Sequence, residues 1–346
     1  MSQLCFLGDV WLPDAVKSDV TFPGEIIPNL ESPITKSTRA MTGKVNLKSE
    51  DNHLLDTFGR RPIAVCLANN HIMDYCEEGF QDTLANLEAH GIKYFGAGSL
   101  ANKCNNPLML DVAGLNVALM GYAGEDSSPI LASPNSLGAM PLDADALAND
   151  IAAARDAGAE RVVVSLHWGA EDVYLHKPQD VRLAHDAIDA GADLIIGHHS
   201  HCIQPYEIYK GKHIFYGLGN CIFTRQPAPG DFDDTGTPTV IYPALCLPWH
   251  QLSLAAAYEP VTGRIVVSVL KFDGTVLRRT NRNARRYMED LSCLDGYEKR
   301  FKRSYAYGKL CRTVVEYLRH PRRIPRPRHF MALVSLAFRR KYSSYK

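Results

Sequence analysis

Residues 194–201 read Leu-Ile-Ile-Gly-His-His-Ser-His, an apolar run that breaks at glycine into three histidines within four positions. A short β-branched run closed by glycine reads as a buried strand whose carboxyl end opens into a loop. A lone histidine there would be an ordinary hydrogen-bonded core residue. Three at His198, His199 and His201 point instead to metal ligation, since neutral imidazole is the commonest protein ligand. The segment reads as extended, with His199 and His201 each able to take a different ion.

The same arrangement recurs along the chain. The apolar run 4–7 leads to Gly8-Asp9, and 26–30 carries Asn29 and leads to Glu31. Residues 63–68 lead to Asn69-Asn70-His71, and 162–166 lead to His167-Trp168-Gly169. Taken singly, Asp9 reads as a turn residue, Glu31 as loop surface, Asn69-Asn70 as a left-handed turn and His167 as core. Taken together, they place a polar side chain just past each of five strand ends. Ligands of open α/β sheets gather outside the carboxyl ends of the strands, so five such loops can converge on one site.

The residue types suit a dinuclear centre. Carboxylate, amide oxygen and imidazole together bind borderline or hard divalent ions such as Mn²⁺, Fe²⁺ or Zn²⁺. A carboxylate can bridge two ions, which at ~3.5–4 Å separation clamp the attacking and leaving oxygens of an in-line displacement. His71 has Asp74 three residues on, so a carboxylate can orient its imidazole as a general acid; the plain alternative is a helix-capping histidine. Trp168 and Glu171 are candidates for a substrate wall, against the usual role of a buried Trp as core.

Strands alternate with helix-like stretches at 79–90, 143–158 and 178–191, which argues for α/β layering. After Gly197 the texture changes to successive strands at 203–209, 213–218, 240–247, 252–258, 264–272 and 275–278, as in an antiparallel meander. Segment 226–239, rich in Pro, Gly and Asp, reads as a long surface loop. Residues from 280 onward read as basic helices interrupted by Pro321, Pro325 and Pro327. The division is therefore 1–279 as the α/β domain and 280–346 as a basic helical extension.

The 346 residues are 46% hydrophobic and 22% charged, which excludes a disordered chain. No stretch approaches the ~20 apolar residues of a membrane span. The start lacks the basic and apolar regions of a signal peptide. Nine cysteines without a C-x-x-C pair favour a reducing compartment, with the cytoplasm as the expectation. Net charge is zero, yet residues 297–346 hold 15 Lys/Arg against two acids, Glu298 and Glu316. The rest carries 23 basic and 36 acidic groups, so an acidic body bears a basic tail suited to an anionic partner or surface. Arginines flank the apolar run 330–338, which suits peripheral contact with the inner face of a membrane or packing on the domain. No nucleic-acid recognition motif accompanies the charge, so nucleic acid is not an expected partner.

The motifs Gly8-Asp9, Asn29-Leu30-Glu31, Asn69-Asn70-His71 with Asp74, His167-Trp168-Gly169 with Glu171, Gly197-His198-His199-Ser200-His201 and Leu218-Gly219-Asn220 together resemble the CapA family. That is the poly-γ-glutamate capsule biosynthesis family of the calcineurin-like metallophosphatase superfamily. The resemblance runs from about residue 4 to residue 223 and implies a four-layer α/β/β/α sandwich holding two divalent metal ions. By motif, Asp9 and His201 would hold one ion, Glu31 would bridge, and Asn70, His167 and His199 would hold the second. His71, with Asp74, would be the acid, and Asn29, Asn69, Trp168, Glu171, His198 and Asn220 would contact substrate. Trp11 stands where metallophosphatases place a further histidine, which implies a weaker first metal site. Asn69 replaces a glycine, Ser200 a proline and Cys221 a phenylalanine.

The resemblance implies a metallophosphatase-like hydrolase in capsule or exopolymer biosynthesis, with a metal-bound hydroxide attacking a phosphoester or amide centre. The alternative is a non-catalytic scaffold that binds or exports an anionic polymer and keeps a degenerate site. An amidohydrolase barrel also uses a His-x-His pair, but there the pair comes on the first strand and the Asp late. Here Asp9 comes first and His199/His201 last, which is the opposite order.

Overall fold

Parallel strands need long crossovers, whereas antiparallel strands need only turns; the chain uses both devices. The computed structural model describes residues 2–224, 226–230, 237–239, 241–242, 247–291 and 294–319. Its strands begin with β1 (Leu4–Trp11), β2 (Lys17–Ser18), β3 (Glu25–Leu30), β4 (Ala64–Cys66), β5 (Lys93–Phe95), β6 (Ala97–Gly98), β7 (Leu108–Val112), β8 (Leu115–Ala123) and β9 (Gly138–Ala139). There follow β10 (Arg161–His167), β11 (Leu194–His198), β12 (Tyr206–Tyr209), β13 (Lys212–Phe215), β14 (Asn220–Phe223), β15 (Ala228–Pro229), β16 (Ile241–Tyr242), β17 (Leu252–Glu259), β18 (Arg264–Phe272) and β19 (Val276–Arg279). The helices are α1 (Leu54–Phe58), α2 (Cys76–Ala89), α3 (Ala144–Asp156), α4 (Pro178–Asp189) and α5 (Tyr297–Arg319).

Two large sheets form. The first runs β2-β19-β18-β17-β1-β3-β4-β5, with β14 also paired to β1; the second runs β12-β13-β11-β10-β8-β7. Strand alternation then sorts side chains into layers. On β1, Cys5 and Leu7 face a cluster shared with Phe80 and Leu87 of α2, while Leu4 and Phe6 face the other way. On β10, Val162, Val164 and Leu166 meet Leu147 and Ile151 of α3 and Val181 and Ile188 of α4. Val163 points instead toward the cluster shared with Leu4 and Phe6. Three apolar interfaces therefore separate four layers, helix, sheet, sheet and helix. Strands buried on both faces must be continuously apolar, which is why the runs in this sequence do not alternate. Helix ends follow local chemistry: Asp143 caps α3 by accepting from Ala146 N at 2.9 Å, and Gly158 follows it with φ 93°.

The six strands expected after Gly197 do not form one meander. The β12–β13 hairpin joins the second sheet, with β13 parallel to β11, whereas β17, β18 and β19 extend the first sheet antiparallel to one another. Hairpin turns alone cannot tell which sheet a strand will join. Of the 226–239 loop, residues 228 and 229 pair with β16, while 231–236 lie outside the described residues. Past residue 280 the chain makes a short 3₁₀ turn at Ala284–Tyr287 before the long helix α5. Leu291 and Tyr297 are buried in the helix-side core. The prolines, the arginine cluster and the run 330–338 lie outside the described residues. Among the described residues no helix is long and apolar enough to cross a membrane.

Candidate metal centre

The carboxyl ends of β1, β3, β4, β10 and β11 meet at one edge of the two-sheet stack. Asp9 does not lie past its strand, since β1 continues to Trp11. It sits where pairing with β3 skips Gly8 and pairing with β14 shifts, a bulge that re-aims the side chain. Glu31 is the first residue after β3, and His167 and His198 are the last of β10 and β11. The segment 198–201 is not extended, contrary to expectation: His199 and His201 have φ of 80° and 53°. Strand alternation would put residues two apart on one face; with these left-handed bends His199 and His201 join different ligand groups. Such a conformation costs a non-glycine residue on the order of 1 kcal/mol and persists where the surroundings enforce it.

Two groups of ligand atoms result, each within 4.8 Å, and they share a member: Glu31 with His167 and His199, and Glu31 with Asp9 and His201. His167 Nε2 lies 3.6 Å from Glu31 Oε1 and 2.9 Å from Asn70 Oδ1, which brings Asn70 to the first group. His201 Nδ1 lies 3.7 Å from Asp9 Oδ2, and its Nε2 lies 4.0 Å from Glu31 Oε1. Asp9 Oδ2, both Glu31 oxygens and His199 Nδ1 are buried without a hydrogen-bond partner. Buried unpaired carboxylate oxygens are costly, and divalent cations would satisfy them. The donor set therefore fits divalent cations, with Glu31 common to both groups.

A second layer holds these ligands in place. Asn29 Nδ2 donates to Asp9 Oδ1 at 2.9 Å, and His198 Nδ1 lies 3.1 Å from the same oxygen. Asn69 Nδ2 donates to Leu30 O at 2.8 Å and Asn29 Oδ1 at 3.2 Å, and Asn220 Oδ1 lies 2.9 Å from His201 Nδ1. Asn29, Asn69, His198 and Asn220 thus brace the candidate ligands in this arrangement, as partners that fix tautomer and geometry do. Trp168, expected in a substrate wall, is core: it is buried among helix-side residues, donates Nε1 to Tyr216 O at 3.0 Å and stacks on the Tyr216 ring. Trp11 supplies no ligand atom, because its Nε1 donates to Lys48 O at 3.0 Å and its ring meets Phe223.

His71 Nδ1 lies 2.7 Å from Asp74 Oδ2, which also accepts from Leu47 N at 2.6 Å. Lys44 Nζ holds the other Asp74 oxygen and the Asn70 carbonyl, each at 2.5 Å. A carboxylate acceptor fixes the proton on Nδ1 and leaves Nε2 as the exchanging nitrogen. Lys44 was missed in the sequence because it sits in an unpatterned loop 30 residues from its partner. Glu171 pairs with Arg312 of α5, another residue not anticipated.

Burial drives the His167 imidazole well below its usual range, with the neighbouring histidines adding to the effect. His199 is pushed down to about 4 by burial, against the pull of Glu171. Burial would raise Asp9, yet the His198 hydrogen bond and the His198 and His201 imidazoles hold it below the carboxylate range. Glu31 is held well above that range by burial and then by Asp9. The two carboxyls are driven apart, as expected of close like charges sharing a buried site. A depressed histidine binds its proton more readily in the unfolded chain, so the stability it allows above pH ~6.5 is lost as pH falls. Between pH ~6.5 and pH ~4 His199 is expected to cost metal-free protein on the order of 3 kcal/mol. Urea unfolding at stepped pH would show this, and His199→Gln should flatten the profile; a wild-type curve no steeper than the variant's would contradict it.

A sequence model of the family described as "Bacterial capsule synthesis protein PGA_cap" matches residues 5–225. The chain belongs to this family. The match spans every proposed ligand from Asp9 to His201 and ends before α5. "Capsule biosynthesis protein CapA" of Bacillus anthracis is 36% identical over 162 residues, 46% of this chain and 39% of its own length. "PGA biosynthesis protein CapA" of Bacillus subtilis (strain 168) is 34% identical over 202 residues, covering 57% and 52%. The chain thus spans about half or less of the length of these relatives. Among solved structures, a hypothetical protein from Thermus thermophilus aligns at TM-score 0.46 and 17% identity, over 80% of this chain and 99% of that one. A 5'-nucleotidase precursor from the same organism aligns at TM-score 0.39 and 14% identity, over 90% and 59%.

Proposed function

We propose that the chain is a dinuclear metal-dependent hydrolase of phosphoester or related bonds, acting in capsule or exopolymer synthesis. The observation that carries this reading is the pair of ligand groups joined through Glu31, whose buried oxygens have no hydrogen-bond partner. Membership of a capsule synthesis family and the names of the Bacillus relatives support the biological setting.

Two divalent ions, when bound, supply Lewis acidity at the scissile bond and lower the pKa of water. Asp9, Glu31 and His201 would hold one; Glu31, Asn70, His167 and His199 would hold the other. The identity of the ions among Mn²⁺, Fe²⁺ and Zn²⁺ follows from supply as much as from this mixed donor set. His71, fixed through Nδ1 by Asp74, hands a proton from Nε2 to the leaving oxygen. Asp74 in turn faces both His71 and Lys44, so one carboxylate orients acid and loop together. An anionic polymer or phosphoester is the substrate class that suits a site of this cationic character once loaded.

The test is turnover of a chromogenic phosphodiester, a phosphomonoester and a γ-glutamyl amide by Mn²⁺- or Zn²⁺-loaded protein. His71→Asn should lower kcat about 10²–10⁴-fold while leaving metal content unchanged. Trp11 in place of a usual ligand favours a second reading, an anionic-polymer scaffold. Loaded protein that cleaves none of the three classes yet binds poly-γ-glutamate would replace the enzyme reading with that one.

A further inference from the structure

Helix α5 lies beyond the family-matched span, yet it follows the segment 171–176 along its length. Tyr297 Oη bonds His176 Nε2 at 3.0 Å, and Ser304 Oγ accepts from Leu175 N at 3.1 Å. At Gly308 any Cβ would lie 2.1 Å from Asp172 O, so helix and segment touch backbone to backbone. Arg312 then reaches Glu171, with Asp172 Oδ2 3.5 Å away. Residues 304, 308 and 312 recur every fourth position, so they share one face of the helix. Successive turns of that face meet residues 175, 172 and 171 in order.

The segment so gripped is joined to the ligand loop. Asp172 N donates to Ser200 O at 3.0 Å, between His199 and His201. Asp172 itself has φ 65°, a strained value for a non-glycine residue, so something must hold it. Its Oδ1 takes Trp249 Nε1 at 3.1 Å and His250 Nε2 at 2.5 Å, and the His250 ring lies 6.1 Å from that of His201.

We propose that Arg312 is a positioning residue of the metal centre: from α5 it clamps Glu171 and Asp172, and through Asp172 it fixes the loop that carries His199 and His201. The inference rests on the dinuclear reading given above. It makes α5 a working part of the site rather than an appended basic helix. Outer-layer partners of metal ligands are worth about 10–100-fold in metal affinity, which sets the scale expected here.

The experiment is Co²⁺ titration of the metal-free full-length protein, followed by visible absorption, for wild type, Arg312→Ala and Glu171→Gln. A thermal melt of each metal-free protein runs alongside. Arg312→Ala should weaken Co²⁺ about 10–100-fold and alter the absorption band, and the double variant should be little worse than either single one. Lys302→Ala, on the exposed Lys302–Glu298 pair of the same helix, should bind as wild type. An Arg312→Ala protein that melts lower but keeps wild-type affinity and band would reduce the clamp to a stability contact and overturn the proposal. Wild type that binds no Co²⁺ would instead remove the metal reading beneath it.

Discussion

Glu31→Gln is expected to empty both metal positions, whereas His199→Ala empties one and leaves the other. Glu31 belongs to both ligand groups, while His199 belongs only to the group with His167. An amide offers one neutral oxygen where a bridge needs a charged group with an oxygen for each ion. Elemental analysis of protein purified without chelator reads the outcome: near two ions per wild-type chain, near one for His199→Ala and near none for Glu31→Gln. A Glu31→Gln protein that keeps one ion would show that the bridge is elsewhere. The same substitution should act in the opposite sense on metal-free protein. Burial, then Asp9, holds the Glu31 carboxyl well above its usual range. A raised carboxyl gives stability below the unfolded pKa and loses it as pH rises through the folded one. Metal-free wild type therefore loses stability as pH rises above the ordinary carboxylate range, a loss that glutamine, which does not titrate, is spared. Urea unfolding with chelator should rank Glu31→Gln above wild type, and the ranking should reverse with metal present.

The layers and the candidate site residues stand out in the sequence for related reasons. A strand covered on both faces must be apolar at every position, so 162–166 and 194–196 stand out without any alternation to find. A polar residue at the end of such a run is conspicuous, which is how Glu31, Asn70, His167 and His199 came to notice. What the sequence hides is contact between distant residues. Arg312 reaches Glu171 across 141 positions, and within a tail of 15 cations nothing marks that one arginine as different. The direction in which 198–201 bends was hidden as well, because two non-glycine residues in left-handed backbone defy local preference. Trp168 shows the converse limit. Its motif neighbours suggested a substrate wall, but the indole turned into the helix-side core, where an apolar ring with one satisfied N–H is best placed.

The largest loss of stability is expected from Gly8→Ala, a change that adds one methyl group. A Cβ at Gly8 would lie 1.8 Å from Gly219 O, and one at Gly197 would lie 1.9 Å from Tyr216 O. Neither glycine has a left-handed φ, so the backbone itself would accept alanine; the obstacle is purely the neighbouring chain. That neighbour cannot step aside. Gly219 O accepts from Asp9 N at 3.0 Å and Tyr216 O accepts from Trp168 Nε1 at 3.0 Å, while Leu218 N binds Gly197 O at 2.9 Å, so each clashing carbonyl is already held in place. A side chain could rotate away, but a hydrogen-bonded carbonyl can move only by separating the strands. The expected cost is above about 4 kcal/mol for either substitution, within the range that unfolds an ordinary domain. Gly211→Ala is the contrasting case: φ is +77° with nothing within 4 Å, so only the left-handed penalty of about 1–2 kcal/mol applies. Soluble Gly8→Ala protein should also fail to fill the position made by Asp9, Glu31 and His201, because Asp9 is the next residue. Urea midpoints for Gly8→Ala, Gly197→Ala and Gly211→Ala, with metal content of whatever folds, make the comparison. The steric account fails if Gly8→Ala unfolds near the Gly211→Ala midpoint and still holds two ions, since the two strands must then be able to part without disturbing Asp9.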